Sequence, residues 1–202
     1  MNVEFHYDFG STNAFLAYRV LPAIEARTGV KFTYVPMLLG GVFKLTNNKS
    51  PVEQFKDIKN KLPYERLEIE RFVRKHRLTR FQMNPYFPVN TLTIMRGAIA
   101  AEMEGDPSRY IETMFHYMWE EPRKLDDPAV IVATLNEAGL DGARLLARTQ
   151  DQAVKDKLLA NTTATVARGT FGAPTFFVGD EMFFGKDRLR EVEEEIVARK
   201  AS

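Results

Sequence analysis

The feature that most constrains the fold is the presence of strand-like sequence at both ends of a chain whose middle is helical. Near the N-terminus, residues 2–9, NVEFHYDF, alternate apolar and polar side chains, and residues 30–37, VKFTYVPM, are rich in β-branched and aromatic types. Apolar residues at helical spacing predict a helix over 12–28, kinked at Pro22 and stopped by Gly29. A strand, a helix and a strand within forty residues predict a βαβ unit with a parallel pair.

A second pair of strand-like runs lies near the other end of the chain. Residues 172–185, GAPTFFVGDEMFFG, contain two short aromatic strands joined by a Gly-Asp hairpin turn, and the amphipathic sequence KDRLREVEEEIVARK predicts a closing helix. In the middle of the chain, residues 38–54 are rich in Gly and Asn and predict a loop. Helical periodicity follows over 62–78, 91–104, 107–119, 127–138, 142–148 and 151–167.

The order of these elements is βαβ, then a helical block, then ββα. It predicts an α/β protein with a thioredoxin-like fold and an all-helical insertion between the βαβ and ββα halves. We expect residues 1–40 and 168–202 to form the thioredoxin-like domain and residues 41–167 to form the mainly helical insertion. A chain of 202 residues can bury a core without metal or disulfide staples.

Composition excludes several classes of function. The chain has no cysteine, which excludes a disulfide framework, a thiolate metal site, a cysteine nucleophile and dithiol–disulfide exchange by the protein itself. We predict no metal site. A net charge of +1 gives no electrostatic reason to expect nucleic acid or an anionic membrane as a partner. No stretch approaches the roughly 20 apolar residues of a membrane span, and the N-terminus lacks a secretory pattern, so we expect a cytoplasmic protein.

Ser11 lies where the first predicted strand turns into the first predicted helix, in the stretch DFGSTNAF. The first N–H groups of a helix lack partners and favour a negative charge, so this turn suits an anion or a thiolate. The alternative is a serine that only caps the helix, and the local sequence alone favours capping. A Ser-His-Asp hydrolase is poorly supported, because no G-x-S-x-G elbow is present and His6, His76 and His116 lack triad context.

Two further turns stand beside strand-like sequence. In FGAPTFF, a cis bond between Ala173 and Pro174 would expose the preceding backbone as an edge for an extended peptide, whereas a trans turn proline is the commoner alternative. In FFGKDRL, backbone donors between a strand and a helix can hold a carboxylate. Asp187 there can accept from an ammonium or cap the helix. A thioredoxin-like fold would bring both turns to the serine.

These segments carry a resemblance to a known family. The stretches DFGSTNAFLAYRVLPAI, LLGGVFKLTNNKSP, FPVNTLTIMRGAIAAE, WEEPRKLDDP and VARGTFGAPTFFVGDEMFFGKDRL resemble the 2-hydroxychromene-2-carboxylate isomerase family. That family is a sister of the kappa-class glutathione transferases within the DsbA-like group. The resemblance covers nearly the whole chain and is most specific in the last stretch. It implies a glutathione-dependent isomerase that recycles glutathione as a cofactor, and it implies a homodimer.

The resemblance also implies roles for individual residues. Ser11 matches the catalytic serine, which donates a hydrogen bond to the sulfur of glutathione and stabilises its thiolate, so that the sulfur arrives with the cofactor. Glutathione contacts also map onto Asn48 and Lys61, with Lys59 as the alternative to Lys61. Ala173, beside Pro174, would pair through its backbone with the cysteinyl residue of glutathione. The γ-glutamyl end would be held by the strand–helix turn that consists of Gly185, Lys186, Asp187 and Arg188.

In the resembling isomerases the thiolate adds to a chromene carboxylate and opens its ring, a bond rotates, and the thiolate leaves. The implied substrate is therefore a small aromatic carboxylate, which needs a cationic or amide partner. Lys44, Asn84 and Asn90 are the candidates, and each is equally suited to be a solvated surface residue. The chain departs from the family at Thr12, because the family often has proline after the serine.

Two other functions fit the same residues. A kappa-like glutathione transferase or peroxidase would share the cofactor site and differ in the acceptor pocket. A non-catalytic thioredoxin-fold binding module would keep the peptide groove for a protein partner. The agreement of Ser11, Asn48 and the block 172–188 with the glutathione site favours an enzyme over such a module.

Overall fold

Within residues 1–201 four strands form one mixed sheet: β1 Val3–Tyr7, β2 Thr33–Pro36, β3 Thr175–Val178 and β4 Glu181–Phe184. Their order across the sheet is β2-β1-β3-β4. The computed structural model describes residues 1–201 of the chain. β1 pairs in parallel with β2 and antiparallel with β3, which pairs antiparallel with β4. This arrangement confirms the predicted βαβ and ββα halves and the thioredoxin-like fold.

Helices occupy most of the rest of the described chain, and none of those within residues 1–201 is both long and apolar enough to cross a membrane. A 3-10 turn at Lys186–Arg188 separates β4 from the last helix. The helices are α1 Thr12–Tyr18, α2 Leu21–Thr28, α3 Leu39–Thr46, α4 Pro51–Phe55, α5 Lys61–His76, α6 Leu92–Glu104, α7 Pro107–Trp119, α8 Pro128–Glu137, α9 Gly142–Arg148, α10 Gln152–Ala167 and α11 Leu189–Ala201.

The structure corrects two predicted elements. The single kinked helix over 12–28 is two helices, α1 and α2, and Pro22 lies in the first turn of α2, where its missing N–H leaves no bond unmade. The loop over 38–54 contains α3 and α4. α3 forms because Val42 packs against Met37 and Ala173, so burial overrides its glycines. α4 begins after Ser50, whose hydroxyl accepts a hydrogen bond from the Glu53 N–H.

One hydrophobic core joins the sheet to the inserted helices. It contains Phe5 of β1 and Phe15 of α1 together with Phe115 and Trp119 of α7. The indole Nε1 of Trp119 also donates a hydrogen bond of 2.8 Å to the carbonyl of Phe9. The helical block is therefore packed directly on the turn that follows β1. The division into two domains stays a prediction.

The polar face of β1 is buried rather than solvated. The ring of His6 contacts the Glu4 carboxylate through Nε2 at 2.7 Å and the Thr165 hydroxyl through Nδ1 at 2.6 Å. Burial lowers the pKa of His6, and the Glu4 carboxylate only partly opposes this shift. A carboxylate, an imidazole and a hydroxyl thus lie in the order of a hydrolytic triad. Thr165 is 1% exposed, so this network binds α10 to the sheet and is closed to substrates.

Candidate active site

Ser11 is the N-cap of α1 and stands after the turn that ends β1. Its Oγ accepts a hydrogen bond from the N–H of Ala14 at 3.1 Å and donates one to the carbonyl of Ala173 at 3.0 Å. The residue is 8% exposed. Capping is thereby confirmed as one role of Ser11. The same hydroxyl also joins α1 to the segment that leads into β3, so the serine bridges two of the three predicted turns.

The peptide bond between Ala173 and Pro174 is cis, which decides the alternative left open by the sequence. The N–H of Gly185 donates to the carbonyl of Pro174 at 2.9 Å, so the turn after β4 is held beside this bond. The 3-10 turn at Lys186–Arg188 packs in turn against α1. The fold therefore brings the three predicted turns together at one end of the sheet.

Asn48 follows α3 and reaches the same end of the sheet. Its amide Nδ2 donates to the carbonyl of Phe171 at 2.8 Å, two residues before Ala173. Its Oδ1 accepts from the N–H of Lys49 at 2.8 Å. The structure thus places Asn48 beside the segment that leads to Ala173.

The two candidate lysines, Lys61 and Lys44, make different contacts. Lys61 begins α5, where its ammonium pairs with Glu65 and lies 5.0 Å from the ring centroid of Phe55. Both contacts lie within the α4–α5 region, and neither reaches the turn that contains Ser11. Lys44 is exposed on α3.

The charged side chains of the turn after β4 contact nearby residues. Lys186 is 4% exposed, its ammonium donates to Asp187 Oδ1 at 2.7 Å, and it lies 5.0 Å from the ring centroid of Phe72. Arg188 pairs with Glu191 at 2.8 Å. A groove of about 400 Å³ between α2, α5 and the start of α11 includes Lys186 and Asp187 but not Ser11. Lys186 therefore serves mainly to pack this turn against α5.

The two candidate asparagines for the substrate carboxylate differ sharply. Asn84 is buried, and its amide donates to the carbonyls of Met118 and Arg123 while its Oδ1 accepts from the N–H of Tyr86. These bonds occupy its polar atoms and give it a structural role. Asn90 is exposed, and its Oδ1 accepts from the N–H of Leu92 at the start of α6. Of the two, only Asn90 presents its side chain to solvent.

Sequence reasoning missed a buried carboxylate beside Ser11. Asp8 accepts hydrogen bonds from the N–H groups of Gly10 and Leu39, each at 2.8 Å, and from the Thr91 hydroxyl at 3.1 Å. Burial raises the pKa of Asp8, and these three donors partly offset that rise. In the alternating run 2–9, Asp8 is a polar position like Glu4 and His6, so nothing in the sequence distinguishes it.

Comparison with known proteins identifies the family. The profile of the DSBA-like thioredoxin domain matches residues 2–197. The chain belongs to this family. Among DSBA-like relatives, the 2-hydroxychromene-2-carboxylate isomerase of Pseudomonas putida is 26% identical over 191 residues, which cover 94% of this chain and 91% of that enzyme. Glutathione S-transferase kappa 1 of Rattus norvegicus is 24% identical over 200 residues, which cover 93% and 87%.

Solved DSBA-like structures agree with this placement. A 2-hydroxychromene-2-carboxylate isomerase superposes with a TM-score of 0.82 and 26% identity, over 100% of this chain and 96% of that one. The oxidoreductase DsbA from Xylella fastidiosa superposes with a TM-score of 0.61 and 17% identity, over 99% and 87%, which shows the shared fold alone. The relatives of this chain thus include isomerases and transferases on one DSBA-like fold.

Proposed function

We propose that the protein is a glutathione-dependent isomerase of the 2-hydroxychromene-2-carboxylate isomerase type, acting on a small aromatic carboxylate. The observation that carries the proposal is the Ser11 hydroxyl, hydrogen-bonded to the carbonyl of Ala173 beside cis Pro174, in a chain without cysteine. When bound, glutathione would supply a thiolate that adds reversibly to the substrate. The protein then needs no thiol of its own.

The residues present fit such a cofactor. Ser11 Oγ can keep accepting from the Ala14 N–H while its own hydrogen turns from the Ala173 carbonyl towards a sulfur. A hydrogen bond to the charged form lowers a thiol pKa from its ordinary value near ~8.5, so Ser11 favours the thiolate at neutral pH. Turning the hydrogen also frees the Ala173 carbonyl to pair with the backbone of an extended peptide.

The other cofactor and substrate contacts are assigned from their positions around Ser11 and Ala173. Asn48 lies near one end of the Ala173 segment, and the turn from Gly185 through Arg188 lies beside α1, so the two can hold opposite ends of the tripeptide. Lys61 stays in the proposal as an outer contact. Lys44 and Asn90 remain candidates for the substrate carboxylate. Asn84 is left out because its amide is occupied.

The decisive experiment compares wild-type protein, Ser11→Ala and Ser11→Thr. Binding of glutathione is measured by calorimetric titration, and formation of its thiolate is measured by ultraviolet absorbance. We expect wild-type protein to bind glutathione and to show thiolate absorbance near 240 nm (roughly, the usual thiolate band) at neutral pH. Ser11→Ala should keep the fold and lose most of this absorbance, whereas Ser11→Thr should retain part of it because the hydroxyl remains. Equal absorbance in wild type and Ser11→Ala would remove the role assigned to Ser11.

A kappa-like glutathione transferase is the second candidate, and the similarity to kappa-class transferases favours it. Steady-state assays with a chromene carboxylate and with a halo-nitrobenzene acceptor separate the two activities. Turnover of the nitrobenzene acceptor alone would assign the transferase. Folded wild-type protein that fails to bind glutathione would instead support a non-catalytic binding module.

We further propose that the enzyme works as a homodimer in the cytoplasm, as its resemblance to the isomerases implies. Sedimentation at micromolar concentration should give twice the chain mass of 23.1 kDa. A monomer at all concentrations tested would contradict the assembly and would leave the cofactor site to be judged on the titration above.

A further inference from the structure

Asp8 is a buried carboxylate for which the proposed function has no use. It follows β1 directly and is 1% exposed. All of its described hydrogen-bond partners are neutral, namely two backbone N–H groups and one hydroxyl. A buried charge held only by neutral donors is costly, so its presence at this position calls for a physical explanation.

The three donors belong to three separate segments of the candidate site. Gly10 directly precedes Ser11 and donates to Oδ1. Leu39 begins α3, the helix that leads to Asn48, and donates to Oδ2. Thr91 stands at the start of α6, next to Asn90, and also donates to Oδ2. One side chain therefore ties the serine turn to the segments that carry the other candidate contacts.

In α3 and α6 the side chain of the N-cap residue makes no capping hydrogen bond. Thr91 is the N-cap of α6, a position where threonine ordinarily binds a first-turn N–H, yet it makes no capping bond. Its hydroxyl is donated to Asp8 instead. Leu38, the N-cap of α3, has no polar side chain, and Asp8 accepts the N–H of the next residue in its place. Both helix starts are thus fixed to the same carboxylate.

The site needs a group that only accepts hydrogen bonds. An ionised carboxylate offers two acceptor oxygens, which matches one donor at Oδ1 and two at Oδ2. An asparagine amide would point its NH2 group either at the Gly10 N–H or at the Leu39 N–H and Thr91 hydroxyl. In both orientations a buried donor would meet another donor and remain unsatisfied.

We propose that Asp8 is a positioning residue that holds Ser11, the start of α3 and the Asn90 segment in the arrangement that binds glutathione. The inference rests on the proposed function for its ligand. Asp8 touches neither cofactor nor substrate and acts through its three donors. It therefore sets where the Ser11 hydroxyl stands relative to the two ends of the bound tripeptide.

The test compares Asp8→Asn, Thr91→Val and a matched control, Thr162→Val. Thr162 is also buried and its hydroxyl accepts the Leu38 N–H at 3.0 Å, so it supports the start of α3 without contacting the serine turn. We expect Asp8→Asn to raise the Kd for glutathione at least about tenfold and to raise the pKa of the bound thiol. Thr91→Val should shift both in the same direction by less. Thr162→Val should leave the thiol pKa unchanged.

If Asp8 only stabilised the fold, the folded molecules of every variant would bind glutathione with the wild-type Kd, and the bound thiol would keep its wild-type pKa. Folded Asp8→Asn with wild-type Kd and thiol pKa overturns the proposal. Should Asp8→Asn fail to fold, Thr91→Val decides, and a wild-type thiol pKa in that variant overturns the proposal equally.

Failure of the proposed function leaves a separate outcome. If wild-type protein binds no glutathione, hydrogen exchange of the ligand-free protein decides the positioning role. Asp8→Asn should then speed exchange of both the Gly10 and Leu39 amides, whereas Thr162→Val should leave Gly10 at its wild-type rate. Unchanged exchange at Gly10 and Leu39 in Asp8→Asn overturns the inference.

Discussion

At the scale of single residues, the Ser11 hydroxyl stabilises the fold as well as the proposed site. Ser11→Ala removes the N-cap bond to Ala14 and leaves the Ala173 carbonyl without its donor. We expect the free energy of unfolding in urea to fall by about 1–2 kcal/mol, and Ser11→Thr to lose less. Identical urea midpoints for wild type and Ser11→Ala would show that neither bond contributes to stability.

Two helical glycines differ in what a side chain would meet. A Cβ at Gly97 in α6 would lie 2.0 Å from the hydroxyl of Tyr110, a buried residue that bonds the Ile94 carbonyl. We expect Gly97→Ala to lower the free energy of unfolding by about 1–3 kcal/mol through overpacking between α6 and α7. Gly40→Ala is the matched control.

Nothing lies within 4 Å of a Cβ built at Gly40 in α3, so the control tests helix propensity alone. We expect Gly40→Ala to be neutral or to stabilise the protein by up to about 1 kcal/mol. If the free energy of unfolding of Gly97→Ala equals that of Gly40→Ala, the packing described for Tyr110 is contradicted.

At the scale of elements, the buried His6 links the stability of the β1–α10 contact to pH. Its pKa is lower in the folded protein than its ordinary value of 6.5, because burial disfavours the charged ring. The unfolded chain therefore binds a proton more readily below about pH 6.5. The free energy of unfolding should be fully developed above that pH and fall as the pH drops towards 5.

His6→Gln should flatten this loss, measured as the difference in urea midpoint between pH 7 and pH 5. Glu4 and Arg168 face the same ring, but the pKa of Glu4 is lowered, so its stabilising contribution is lost only further into the acid range. His76→Gln is the comparison: the pKa of His76 is also lowered, but His76 is less buried, so this variant should flatten the loss less than His6→Gln does. An equally steep loss in His6→Gln and wild type would exclude His6 as the source.

The predictability of the elements followed the strength of their periodic signal. Helices α6 to α10 and the ββα half were predicted within a few residues, because long apolar periodicity and a Gly-Asp turn are local signals. The segment 38–54 was predicted as a loop, since its glycines and asparagines favour turns and the burial of Val42 against Ala173 is a contact across the chain. The proximity of Ser11 and Ala173 follows from the predicted fold and not from any local signal. The burial of Asp8 and its three hydrogen bonds are not predicted by the sequence.

At the scale of the whole molecule, the continuous core argues for one unfolding event. Phe5 in the sheet and Phe115 in the inserted helices belong to the same buried cluster, although the sequence divides them between two predicted domains. We expect one calorimetric transition whose calorimetric and van't Hoff enthalpies agree. Two resolved transitions would show that the helical insertion unfolds on its own.

Trp119 gives the molecule a built-in optical reporter. It is the single tryptophan of the chain, it is fully buried, and its indole is bonded to the carbonyl of Phe9, two residues before Ser11. Its emission therefore comes from one known place beside the proposed centre of chemistry. Any ligand that displaces the serine turn should change that emission without an attached dye, which makes stopped-flow measurement of cofactor arrival possible on the unmodified protein.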